Sequence, residues 1–149
     1  MLDGLFVTPA VTSIEEALAA LGDRGRDIAV VGNAKLAAAL ADKFVVTPVG
    51  ISERAAKKLA NAIADTRGLP AQSLDAVVGV DITDDDAWRE TLREWTRATR
   101  DGGVIVLVDR GHAAEASRRA LCAGLSELEQ RHAGKPVITS GLVTHLPDD

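Results

Sequence analysis

The chain has 149 residues, the length of one ordinary domain, and 46% of them are hydrophobic, enough to build a core. Acids outnumber Lys and Arg by 22 to 17 and no basic cluster stands apart, which excludes non-specific nucleic-acid binding. A single cysteine excludes an internal disulfide and a multi-cysteine zinc site, and no run approaches the roughly 20 apolar residues of a membrane-spanning helix. Acids stand near the N-terminus where a secretory leader carries cations, so a cytoplasmic location is expected. In chain order, residues 5–8 read as an edge strand ended by Pro9. Ser13 and Glu16 have capping-box spacing; Ile14, Ala17, Leu18 and Leu21 continue as a helical stripe that Gly22 and Gly25 close. Residues 28–31 form the next strand, Gly32-Asn33 turns the chain, and residues 35–42 form a short Ala/Leu helix. Residues 44–47 are a strand stopped by Pro48 and Gly50. Ser52 then caps a long helix over residues 52–64, with Ala55, Ala56, Leu59, Ala60 and Ile63 facing inward.

The stretch 74–111 organises the rest. Residues 74–80 are a buried strand, rich in β-branched side chains. Thr83 and Asp86 have capping-box spacing, and Trp88, Leu92, Trp95 and Thr99 lie on one stripe of the following helix. Asp101-Gly102-Gly103 stops that helix and residues 104–108 form a second buried strand. Strand, helix, strand at this length is a βαβ unit with parallel strands and a right-handed crossover. After Gly111-His112 a helix carries Ala113, Ala116, Ala120 and Leu121 on its apolar face, with Cys122 read as a buried small apolar residue, and Gly124 ends it. Residues 125–132 and 135–145 are two strands joined by a turn at Ala133-Gly134, and residues 146–149 are a frayed tail. The expected fold is α/β: a doubly wound, mostly parallel sheet with helices on both faces and a C-terminal antiparallel β-hairpin. Residues 1–149 form one domain, with 1–25 an N-terminal extension and 26–145 the core.

That outline resembles the class I S-adenosylmethionine-dependent methyltransferases over residues 26–145. The stretches that carry the resemblance are 50–55 (Gly-Ile-Ser-Glu-Arg-Ala), Leu69-Pro70, 73–78 (Ser-Leu-Asp-Ala-Val-Val), 95–109 with its double glycine, and the hairpin segments 123–125 and 139–141. The resemblance implies a cofactor loop of the form Gly-x-Gly-x-Gly after an acid that ends the first strand. Here Val30 stands where the acid would be, Gly32 keeps the first glycine, and Ala34 and Leu36 replace the other two. It also implies an acid on the ribose hydroxyls at the end of the second strand, where this chain has Gly50. Losing two charge-assisted contacts of about 1.5–3 kcal/mol each weakens cofactor binding by roughly two to four decades. Gly32, Asn33, Gly50, Ile51 and Asp65 remain the candidate cofactor positions, Asp65 standing near where the family places an acid by the adenine. The family's third strand has no counterpart, because residues 65–68 hold no apolar run; residues 44–47 are left at the sheet edge, to be covered by residues 5–8, by a second copy or by another protein.

Asp81, at the end of the organising strand, is a candidate general base or polar anchor, weighed against a plain turn acid. Asp109 and His112 could form an acid–base pair across a turn. Asp84, Asp85 and Asp86 start a helix, where acids complement the macrodipole, and consecutive residues point apart, so they make no metal site. His132 and His145 could be neighbours on the hairpin, but two histidines without further ligands make no zinc site. Trp88 and Trp95 read as packing against the sheet. Two functions remain: a non-catalytic methyltransferase-like domain acting through protein association or homo-oligomerisation, with no cofactor, or a small methyltransferase that uses S-adenosylmethionine with an atypical loop. A receiver-like domain would need an acid pair after the first strand, and Val30-Val31-Gly32 offers none.

Overall fold

The computed structural model describes residues 2–22 and 26–145, without the side chains of residues 2–9. The helical stripe at the start of the chain is longer than its capping signal implies. α1 spans Leu2–Leu18, so residues 5–8 are helical rather than an edge strand, and Ser13 and Glu16 lie in the helix interior rather than at a cap. A short apolar run carries no period that separates strand from helix. The stripe of Ala10, Ile14, Ala17, Leu18 and Leu21 is buried against the sheet and carries the helix. A 3-10 turn, Ala19–Leu21, ends at Gly22 with φ +66°; Gly25 and the tail 146–149 lie outside the described residues.

β1 (Asp27–Val31), α2 (Ala34–Leu40) and β2 (Val45–Val49) follow. Pro48 lies within β2 rather than ending it, which an outermost strand allows because the missing N–H faces away from the sheet. The expected helix over 52–64 is a single turn, α3 (Glu53–Ala56), capped by the Ser52 hydroxyl. Ile63 forms a parallel bridge with Val49 near the carboxyl end of β2. A helix of that length runs about 20 Å and would carry the chain away from this point. The bridge is what stands, among the described residues, where the third strand is missing.

β3 (Leu74–Val80), α4 (Trp88–Ala98), β4 (Thr99–Asp109), α5 (Ala113–Cys122), β5 (Ser126–His132) and β6 (Val137–Leu142) complete the chain. The sheet order is β2-β1-β3-β4-β6-β5. β2, β1, β3 and β4 are parallel; β6 runs antiparallel to β4 and β5. Alternate strand residues serve opposite faces. Ile28, Val30, Ala76, Val78, Val104 and Val106 pack under α1 and α2, while Ala29, Val77, Ile105 and Leu107 pack under α4 and α5 with Trp88, Leu92 and Trp95. Gly79 lets α4 sit close on the sheet, since a Cβ there would overlap the Trp95 ring.

Three side-chain expectations fail in this last part. Leu121 is 62% exposed and Cys122 is exposed, because α5 rests on the sheet through Ala116 and Ala120. Thr83 and Asp86 do not cap α4, whose N-cap is Ala87 without a side-chain bond; Asp85, just ahead of it, accepts from the Ala87 N–H at 2.8 Å and the Thr91 hydroxyl at 2.7 Å. His132 pairs with Val137 at one end of the hairpin, while His145 lies beyond its other end, with Nε2 2.7 Å from the Thr99 carbonyl oxygen. Among the described residues no helix is long and apolar enough to cross a membrane.

Candidate functional site

The carboxyl ends of four parallel strands form one rim. At β1, Gly32 has φ +86° and donates its N–H to the Val49 carbonyl at 2.9 Å; a Cβ there would come 3.0 Å from Val80 Cγ2. The Asn33 side chain is engaged as the α2 cap, accepting from the Leu36 N–H at 2.9 Å. Val30 and Leu36 have no exposed surface, so both are core residues. At β2, Gly50 has φ +66° and donates to the Ile63 carbonyl at 3.0 Å, with Ile51 half-buried beside it. Asp65 is exposed and caps the 3-10 turn Thr66–Gly68, accepting from the Arg67 N–H.

At β3, Asp81 is half-buried with φ +58°, and its N–H donates to the Val108 carbonyl at 2.8 Å. That left-handed conformation is one Asp tolerates better than most residues. At β4, Asp109 is fully buried. Its Oδ1 accepts from the Thr83 N–H at 3.0 Å and hydroxyl at 2.9 Å. Burial pushes its carboxyl above the ordinary aspartate range; the Thr83 bonds oppose the shift, and the Asp81 and Asp84 charges add to it. His112 is exposed with φ +57°, and no hydrogen bond joins it to Asp109 among the described residues, so the acid–base pair does not form. Arg119 of α5 donates to the carbonyls of Ile82 at 2.6 Å and Asp85 at 3.2 Å. Neither the Thr83–Asp109 link nor the Arg119 grip is visible in sequence, since each joins residues at least 26 positions apart. No group of three or more potential metal ligands converges among the described residues.

A cleft of about 570 Å³ opens at this end of the sheet. Its floor includes Val31, Val49, Val80, Ile82 and Trp95. One wall carries Asp65 and Arg67, the other Glu90, Arg93 and Glu94 from α4. Gly50 and Asp65 therefore reach the cleft, whereas Gly32, Asn33, Ile51, Asp81 and His112 do not line it. A cleft of this volume suits a small ligand. The residues do not fit S-adenosylmethionine as the resembled family holds it. Val30 is an aliphatic core residue, Gly50 has no side chain, and the opening skirts the Gly32 turn.

No family model and no curated protein sequence matches the chain. Solved structures do. A putative S-adenosyl-L-methionine-dependent methyltransferase from Methanococcus maripaludis superposes with a TM-score of 0.72 at 15% identity, over 96% of this chain and 89% of that one. An S-adenosylmethionine-dependent methyltransferase from Aquifex aeolicus gives 0.71 at 13% identity, over 94% and 92%. A chain from the complex between the Haloferax volcanii Trm112 methyltransferase activator and the putative methyltransferase gives 0.65 at 15% identity, over 96% and 97%. Likeness at these identities is a likeness of backbone: this chain has the class I methyltransferase-like Rossmann fold.

Proposed function

We propose that residues 1–149 form one cytoplasmic, methyltransferase-like domain that acts by associating with protein rather than by transferring a methyl group. The observation that carries this reading is the pair of positions where carboxylates would grip the cofactor. One is Val30, fully buried and aliphatic; the other is Gly50, whose N–H is committed to the Ile63 carbonyl. Leu36 adds to it, because a fully buried leucine leaves no room for the close backbone approach that a glycine there would allow. Association through this fold has a precedent in the similar structure solved as a complex with the Trm112 activator. Calorimetric titration of the purified chain with S-adenosylmethionine tests the reading. No heat of binding is expected at physiological cofactor concentration; a micromolar dissociation constant overturns it.

The second reading, a methyltransferase with an atypical cofactor loop, draws support from the cleft itself. It lies beyond the carboxyl ends of the strands, where open α/β sheets bind ligands, and Asp65 stands on its wall. On that reading the catalytic candidates Asp81 and His112 stand on the rim outside the cleft lining, and the same titration gives a saturable isotherm that Asp65→Ala weakens.

A further inference from the structure

The carboxyl group at the end of β4 is buried with one oxygen unanswered. Asp109 Oδ1 takes both bonds from Thr83, while no donor reaches Oδ2. The charges that act on it are Asp81 and Asp84, both acids of the rim loop 81–85. From α5, Arg119 approaches the same loop but spends its Nη1 on the Ile82 and Asp85 carbonyls, with Glu115 3.6 Å from its Nε. On its own side of the rim, Arg110 and His112 are exposed.

We propose that Asp109 is a proton-controlled latch on the 81–85 loop: the neutral carboxyl holds the loop closed, and ionisation releases it. A neutral carboxyl keeps Oδ1 as an acceptor for both Thr83 bonds and leaves its Oδ2 hydroxyl without an acceptor, which costs less than a buried charge. A carboxylate must also find a donor for Oδ2, and leaving a buried charge unsatisfied is costly. Water is the available donor, and it reaches Oδ2 when the loop lifts. Repulsion from Asp81 and Asp84 pushes in the same direction. Because Ile82 and Asp85 line the cleft, lifting the loop moves part of that lining. The latch acts whichever function the cleft or the surface serves.

The test uses the full chain and two nuclear magnetic resonance readouts. Carboxyl carbon shifts should show Asp109 titrating above the other carboxylates. Amide exchange of Thr83, corrected for base catalysis, should quicken severalfold across that titration as the loop opens. Amides of Val106 and Leu107 should stay protected throughout, and Asp109→Asn, which keeps the Oδ1 acceptor without a charge, should leave Thr83 exchange flat. Should Asp109→Asn fail to fold, Thr83→Val removes one donor to Oδ1 and is expected to move the titration to still higher pH. An Asp109 that titrates with the surface carboxylates overturns the latch. So does Thr83 exchange that tracks β4 exchange, or a titration unmoved by Thr83→Val.

Discussion

At the scale of single residues, burial decides which side chains are structural. Leu36 sits where a cofactor glycine would lie in the resembled family, yet it has no exposed surface and packs with Val30, Ala37 and Leu40. Leu36→Ala is therefore expected to lose about 2–5 kcal/mol in denaturant unfolding, the range for a buried leucine. A loss under ~0.5 kcal/mol would mark position 36 as the border of an open pocket. Asp109 gives a signed pH dependence. Its folded-state value is raised above the ordinary 3.8. Between those two values the folded chain holds a proton that the unfolded chain has released. Stability is then fully present below the ordinary value and falls as pH rises through the folded one. Denaturant midpoints measured from about pH 4 upward should show this decline in the native chain and its loss in Asp109→Asn. Equal slopes for the two proteins would show that Asp109 is ionised in both states alike.

At the scale of elements, α4 is seated by a missing side chain as much as by its own apolar stripe. Trp88, Leu92 and Trp95 are buried, and the Trp95 ring packs so close to Gly79 that position 79 has no space for a methyl group. Gly79→Ala is expected to cost about 1–3 kcal/mol, because the added carbon must displace an aromatic ring in a close-packed layer. Melting curves of the two proteins check this, and an unchanged midpoint would show that the ring can slide. The stripe of Trp88, Leu92 and Trp95 was legible from its spacing, but Thr99, read onto the same stripe, begins β4, and Asp101-Gly102-Gly103 lie within that strand rather than stopping the helix. The reason for Gly79 was not legible, since the ring it accommodates belongs to Trp95, 16 positions later in the chain. The helix expected over 52–64 failed at the same scale. Its Ala-rich pattern is sound, but the Val49–Ile63 bridge pins the chain after one turn.

At the scale of the whole molecule, the absent third strand sets the exposed edge. Along β2 the outward backbone groups alternate with those bonded to β1. Pro48 has no N–H and its carbonyl accepts from the Ile63 N–H at 2.9 Å, while the Gly50 N–H donates to the Ile63 carbonyl. Val46 is left with its outward pair, beside Val45 at 60% exposure. The edge is thus largely blunted in cis by residue 63, and the N-terminal segment has no part in it as a strand because it is α1. Ile63→Pro removes one of the two bridging bonds. It is expected to turn a concentration-independent light-scattering mass into one that rises with concentration. A mass that stays constant would show that Pro48 alone suffices, and would move any partner surface away from β2.

Residue order alone was enough for the α/β class, the parallel βαβ unit, the closing hairpin, the lack of a third strand and the absence of carboxylates at 30 and 50. Those features rest on period, glycine placement and residue identity, all of which are local. Long-range packing was needed to show that residues 5–8 are helical, that α3 stops after one turn, that Cys122 and Leu121 face outward, and that His132 and His145 lie at opposite ends of the hairpin. It also decided that the cleft opens beside α4 rather than over Gly32, and that Asp109 reaches Thr83. Each of these depends on what packs against the residue from a distant part of the chain, and burial, register and unsatisfied donors are properties of that encounter rather than of the segment.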